Sequence, residues 1–144
     1  MTVHAYSEDY LWGAQRILGD MLDFGVNTCQ LDMDFIMNKF IESGIADNFA
    51  IGNPKYVAGM TGCEVLRTVL EKTGEENPKE NDIMYVDKSP EYWTGWALAY
   101  YQWYRNYKFQ EIQSKVPVSE VVKMYILHEA DVMKFVEIMD TRMA

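Results

Sequence analysis

The side chains best suited to acid–base or metal chemistry are spread along the chain and form no recognised catalytic pattern. Asp32 and Asp34 lie two residues apart, so on a helix they point to different faces and form no acid–base pair. His128 precedes Glu129, but the second histidine that a zinc-binding helix needs four residues later is missing. We therefore expect no catalytic residues, no metal site and no cofactor, in a protein that is not an enzyme.

The two cysteines, Cys29 and Cys63, lie in apolar, helix-forming segments. Two thiols without neighbouring histidines are too few for a structural zinc site, so we interpret them as small buried apolar side chains kept reduced. The N-terminal MTVHAYSEDY has neither the basic start nor the apolar run of a secretory signal. The apolar runs are also too short to span a bilayer. We expect a cytoplasmic protein without a membrane partner.

Acidic residues dominate the charge, which is -9 over 144 residues. Residues 75–89, here called the acidic loop, hold five acids and two bases, with Pro78 and two asparagines that favour a surface loop. Such a surface repels a phosphate backbone and attracts a basic protein. The alternative is a solvated loop without a binding role. The carboxylates predicted to bind a partner are Glu75, Glu76, Glu80 and Asp82.

Rings crowd the segment YWTGWALAYYQWYRNYKF, residues 92–109, where nine of eighteen residues are aromatic. One interpretation is a helix contacted on several sides, with its tyrosine hydroxyls at the surface. The other leaves Tyr92, Trp103 and Tyr107 exposed as anchors for a protein partner, because tyrosine and tryptophan dominate binding hot spots. We include these three in the predicted partner-binding set, with Trp103 as the first choice.

Residues 109–126, FQEIQSKVPVSEVVKMYI, resemble a repressor-type helix-turn-helix. Gln113, Pro117 and Lys123 depart from that motif, and the second helix has few donors for base edges. A DNA-binding transcriptional regulator is therefore the alternative function, against a helical corner without a DNA role. The apolar skeleton of the corner is Ile112, Val116, Val118 and Val122.

Helix caps and stops organise the rest of the chain. Asp32, Thr61 and Ser89 each precede an apolar stripe as N-cap residues, and Pro90 follows Ser89 at the first helical position. Glu64 completes a capping box with Thr61. The pattern predicts an all-α fold, a compact single-domain bundle of six to eight helices over residues 1–144. Its central aromatic-rich helix should run from Pro90 to about Asn106.

Several segments together are similar to a widespread group of small uncharacterised all-helical proteins of gut Firmicutes and their mobile elements. The segments are NPKYVAGMTGCEVL, SPEYWTGWALAYYQWY, VPVSEVVKMY and LHEADVMKFV. Members of that group often lie near toxin-like genes, which implies an antitoxin or another inhibitor. With the charge pattern, we predict a non-enzymatic binding protein that neutralises a protein partner, either a toxin or a defence nuclease. We expect no nucleic-acid partner.

Overall fold

The computed structural model describes residues 3–144, and within that range the chain folds into helices and loops without a strand. The α-helices are α1 (Leu11–Asp23), α2 (Met33–Glu42), α3 (Ile45–Ala50), α4 (Pro54–Val57), α5 (Gly62–Lys72), α6 (Pro90–Arg105), α7 (Phe109–Lys115), α8 (Val118–Val121) and α9 (Val132–Met143). The segments Glu8–Tyr10 and Val122–Glu129 are 3-10 helices, and Phe24–Thr28 is a π-helix that extends α1.

The predicted all-α class is confirmed. The helix count is higher than the predicted six to eight, with nine α-helices in the described range, because α4 and α8 are single turns of four residues each. The first of these forms because Asn53 caps it and Pro54 stands at its first position. Every helix within residues 3–144 is too short or too polar to cross a membrane.

The helix starts are where the sequence places them. The Ser89 hydroxyl accepts a hydrogen bond from the backbone N–H of Tyr92 at 3.0 Å, which caps α6. At the start of α5, the Thr61 hydroxyl accepts from the Glu64 N–H and the Glu64 carboxylate accepts from the Thr61 N–H, both at 3.1 Å. The capping box is thus confirmed, and two otherwise free amides are satisfied.

Helices α1 and α6 pack along each other and form the centre of the molecule. Asp23 lies against Ser89, and Gln15 lies against Trp96, so the two helices run antiparallel. Helix α5 packs on the other side of α1, while α9 and the 3-10 helix Val122–Glu129 pack on α6. This arrangement puts the acidic loop, which joins α5 to α6, at one end of the central pair.

A partly buried polar contact joins helix α9 to α6. The Tyr101 hydroxyl donates to Asp140 Oδ1 at 2.8 Å, and Arg105 donates to both oxygens of the same carboxylate at 3.1 and 2.6 Å. Burial raises the pKa of Asp140, but these hydrogen bonds outweigh it and hold the pKa below its usual range. The carboxylate is therefore ionised at neutral pH.

Candidate functional site

The guanidinium of Arg67, on α5, holds the acidic loop in one conformation. Its Nε and Nη2 donate to Asp82 Oδ1 at 2.9 and 2.8 Å, and its Nη1 donates to Asn77 Oδ1 at 3.2 Å. The carbonyls of Pro78 and Glu80 accept further hydrogen bonds from the same group. A guanidinium has five N–H donors in a rigid fork, so this one side chain fixes the turn of the loop.

A second contact fastens the far end of the loop to the π-helix. The Tyr85 hydroxyl lies 2.6 Å from Thr28 Oγ1, which is hydrogen-bonding distance. The Arg67 guanidinium carbon also lies 5.5 Å from the centroid of the Phe24 ring, a cation–π contact. The loop is thus built onto the helices rather than extended into solvent.

A pocket of 370 Å³ lies between the acidic loop and the helices, and we call it the acidic pocket. Its floor is apolar, made of Leu31, Phe35 and Leu70, and its rim carries three carboxylates. The lining residues are Cys29, Leu31, Phe35, Leu70, Glu75, Glu76, Asn77, Pro78, Lys79 and Glu80. Three of the four predicted partner-binding carboxylates, Glu75, Glu76 and Glu80, therefore meet at one concave site.

The carboxylates of the loop differ in how far they are neutralised within the chain. Glu75 lies 3.2 Å from the Lys39 ammonium, and Asp82 lies 2.8 Å from Arg67. Glu76 and Glu80 form no ion pair with a side chain of residues 3–144 and are exposed. Asp82 thus has a structural role in the loop, while Glu76 and Glu80 keep their charge available for a ligand.

The thiol of Cys29 lines the acidic pocket, and its surroundings disfavour the thiolate. Burial and, after it, the negative charge of Glu80 raise the pKa of Cys29 to about 11. A thiol with that pKa is protonated at neutral pH, and the thiolate is the reactive form. The acidic pocket therefore offers apolar and anionic contacts.

The acidic loop also exposes apolar side chains that sequence reasoning missed. Ile83, Met84 and Val86 are 43%, 55% and 93% exposed. The signal was present in the sequence as the apolar stretch Ile83 to Val86 inside an otherwise charged segment. Exposed apolar side chains rimmed by polar residues are a feature of interaction surfaces, where apolar contacts supply affinity.

The predicted aromatic anchors are not free rings. The expectation that Trp103 is exposed is wrong: the side chain is 4% exposed, its Nε1 donates to the Tyr6 carbonyl at 2.7 Å, and its ring stacks on His4. Residues 4–6 cover it. Tyr92 and Tyr107 are half-buried in contacts with other parts of the chain. Trp103 is therefore not an exposed anchor, and a partner-binding role for the half-buried Tyr92 and Tyr107 stays a prediction.

Some of the rings instead line a groove of 270 Å³ at the start of α6, which we call the aromatic groove. The 3-10 helix Val122–Glu129 supplies Tyr125 and His128, whose rings stack 4.1 Å apart at 7°. The helical periodicity of α6 could not predict that Tyr125 and His128 lie at this groove, because both residues belong to a different helix. The lining residues are Lys88, Ser89, Tyr92, Trp93, Trp96, Tyr125 and His128.

The corner at residues 109–126 differs from a repressor-type helix-turn-helix in its second helix. Its second α-helix, α8, is a single turn that continues as the 3-10 helix Val122–Glu129. Gln113, which departs from the DNA-binding motif, donates to Asp34 at 3.0 Å and accepts from the Val118 N–H at 3.0 Å. It ties the corner to α2. The one-turn α-helix with its 3-10 continuation differs from the continuous recognition helix of that motif, and the DNA-binding alternative stays a prediction.

No protein family, no curated protein and no solved structure matches this chain. The similarity to small helical proteins of gut Firmicutes stays a hypothesis.

Proposed function

We propose that this protein is a non-enzymatic binding protein that inhibits a basic protein partner by capturing a cationic side chain of that partner in the acidic pocket. The observation that carries the proposal is the combination of an apolar floor with two rim carboxylates, Glu76 and Glu80, that form no ion pair within residues 3–144. A toxin or a defence nuclease fits the chemistry, because a surface that binds nucleic acid is rich in Lys and Arg. Covering that surface would block its activity.

The acidic pocket matches the two halves of a lysine or arginine side chain. Phe35 and Leu70 can pack against its methylenes, since long basic side chains bury their stems along apolar surface. Glu76 and Glu80 can then accept charge-assisted hydrogen bonds from the cationic end. Lys79 also lines the pocket, with an exposed side chain.

The way Arg67 holds the loop favours tight binding. A loop that is already ordered loses little conformational entropy when a partner docks, so more of the contact energy appears as affinity. Ile83, Met84 and Val86 then supply apolar surface beside the acidic pocket. The net charge of -9 adds long-range attraction, which increases the association rate with a basic partner at low salt.

The test begins with capture of the partner from the native host by pull-down and mass spectrometry. Binding is then measured for Glu76→Gln/Glu80→Gln and for the control Asp47→Asn/Glu137→Gln, which removes two exposed charges outside the pocket. The two double variants change the net charge of the protein by the same amount. We expect the pocket double to weaken binding by about tenfold or more, mainly through faster dissociation, and the control to change mainly the association rate.

If the two double variants weakened binding equally, only net charge would matter. That result would reject the acidic pocket as the binding site. Capture of a partner with an acidic surface would reject the charge argument itself. Salt-sensitive binding of the protein alone to its own promoter DNA, lost in Lys123→Glu, would replace this proposal by the regulator function.

A further inference from the structure

The aromatic groove is a second concave site, and it differs from the acidic pocket in its chemistry. Rings form most of its wall, and they hold one another in place: Trp93 meets Tyr125 edge to face at 6.0 Å, and Tyr125 stacks on His128. Its 270 Å³ is close to the lower limit of about 300 Å³ for pockets that enclose small ligands.

One ring of the groove already binds a cation of the chain itself. The Lys88 ammonium lies 4.5 Å from the centroid of the Tyr92 ring, a cation–π contact. The Lys88 side chain is 46% exposed and also donates to the Tyr85 carbonyl at 2.9 Å. It therefore lies at the rim, where it can move away without unfolding a helix. The contact identifies this ring face as one that favours positive charge.

Two buried carboxylates lie behind this rim. Asp20 and Asp23 on α1 are 5% and 2% exposed, and Asp20 Oδ1 and Asp23 Oδ2 have no hydrogen-bond donor within residues 3–144. Lys88 is the cation beside Asp20, at 3.9 Å. Burial raises the pKa of Tyr92, and the charges of Asp20 and Asp23 raise it further, so their negative potential reaches a ring of the groove. Arg16 offsets part of this potential, but the two buried carboxylate oxygens still have no hydrogen-bond donor within residues 3–144.

From these observations we infer that the aromatic groove binds a small quaternary ammonium compound, whose alkylated cation takes the place of the Lys88 ammonium over Tyr92 and among the neighbouring rings. An alkylated ammonium has no N–H donor and needs only aromatic faces and a negative potential. A guanidinium has five donors that need acceptors. The groove lining supplies no carboxylate within the described chain, and the Ser89 hydroxyl is already bonded to Asp23 and to Tyr92.

The test compares choline with its neutral isostere 3,3-dimethyl-1-butanol by isothermal titration calorimetry on the complete protein. We expect saturable choline binding and at least tenfold weaker binding of the isostere, because only the cation gains from the rings and the buried carboxylates. Equal binding of the two compounds would show a merely apolar groove. Absence of saturable choline binding would overturn the inference outright.

Three variants locate the site. Trp96→Ala should weaken choline binding, Asp20→Asn should weaken it by removing the negative potential, and Lys88→Met should strengthen it by freeing the Tyr92 face. The control Trp12→Ala removes a 68% exposed ring outside the groove and should leave binding unchanged. Weaker binding in Lys88→Met would contradict displacement of the lysine.

Nα-acetylarginine methylamide supplies the last comparison. Binding as tight as that of choline would overturn the preference for an alkylated cation. The choline and isostere measurements need no variant, so they decide the inference even where a substitution disturbs folding.

Discussion

Gly95 lies directly against the backbone of Leu18, and a Cβ atom added at Gly95 would come within 2.5 Å of the Leu18 carbonyl oxygen. The α1–α6 contact is therefore made backbone to backbone at this point. Gly19 takes part in the same close approach, since a Cβ there would meet Tyr92 at 2.8 Å. Helices α1 and α6 can approach this closely only because Gly19 and Gly95 lack a side chain.

Gly95→Ala should lower the free energy of unfolding by about 1–3 kcal/mol, because the helices must move apart to admit the methyl group. The loss should exceed the gain of about 1 kcal/mol that alanine brings to a helix interior. Urea denaturation measures the difference. Gln110→Ala, at an exposed position of α7, is the control and should stay within about 0.5 kcal/mol of the parent. An unchanged or increased stability of Gly95→Ala would contradict the close contact.

Trp103→Phe should destabilise the protein by about 1–3 kcal/mol, because it leaves the Tyr6 carbonyl without its donor. The segment around His4 loses one contact and keeps its hydrogen bonds to the Trp103 and Tyr104 carbonyls, so amide hydrogen exchange at residues 4–6 should become moderately faster. Exchange monitored by mass spectrometry checks this. An unchanged exchange rate in that segment would show that the indole hydrogen bond contributes little.

Arg67→Lys should loosen the acidic loop while keeping the charge, because an ammonium cannot reproduce the planar fork that contacts Asn77 and Asp82. Limited proteolysis with a glutamate-specific protease should cleave faster at Glu76 and Glu80 in this variant. Lys72→Met, an exposed change on the same helix, is the control and should be cleaved like the parent. Equal cleavage of all three proteins would mean that other contacts hold the loop.

Asp20→Asn should gain stability relative to the parent as the pH rises from 4 to 7. Burial raises the pKa of Asp20, and Lys88 and Arg16 offset this only in part. In the parent, Asp20 therefore keeps its proton to a higher pH in the folded state than in the unfolded state. The stability of the parent falls as the pH rises from the unfolded pKa of about 3.9 through the pKa of the folded state. Urea denaturation at several pH values tests this. A constant difference between the two proteins would contradict it.

Asp140→Asn should show the opposite pH dependence. The pKa of Asp140 is lowered in the folded state, so its contribution is present above the unfolded pKa of about 3.9 and is lost as pH falls through the folded pKa. The variant should be less stable than the parent at pH 7, and the gap should narrow toward pH 2. The same denaturation series measures both variants, and a gap that widens in acid would refute the role of the carboxylate.

Local signals predicted the helices well, and long-range contacts account for what the sequence did not show. The caps at Thr61 and Ser89 act on amides within three residues, so the sequence alone locates them. Whether Trp103 is exposed depends on residues 4–6, about one hundred positions away in the chain. The acidic residues of the candidate site could be predicted because they are concentrated in residues 75–89. Their arrangement depends on Arg67, a single base in a neighbouring helix that no pattern distinguishes.

The antiparallel contact of α1 with α6 joins two halves of the chain that the acidic loop connects. Helices α1 to α5 lie before the loop and α6 to α9 after it, so this contact is made between the halves. Two separately expressed pieces, residues 1–76 and 88–144, should therefore reconstitute by fragment complementation. Fused to the halves of a split reporter, the pieces would give a signal that depends on helix pairing alone, and Gly95→Ala should weaken that signal.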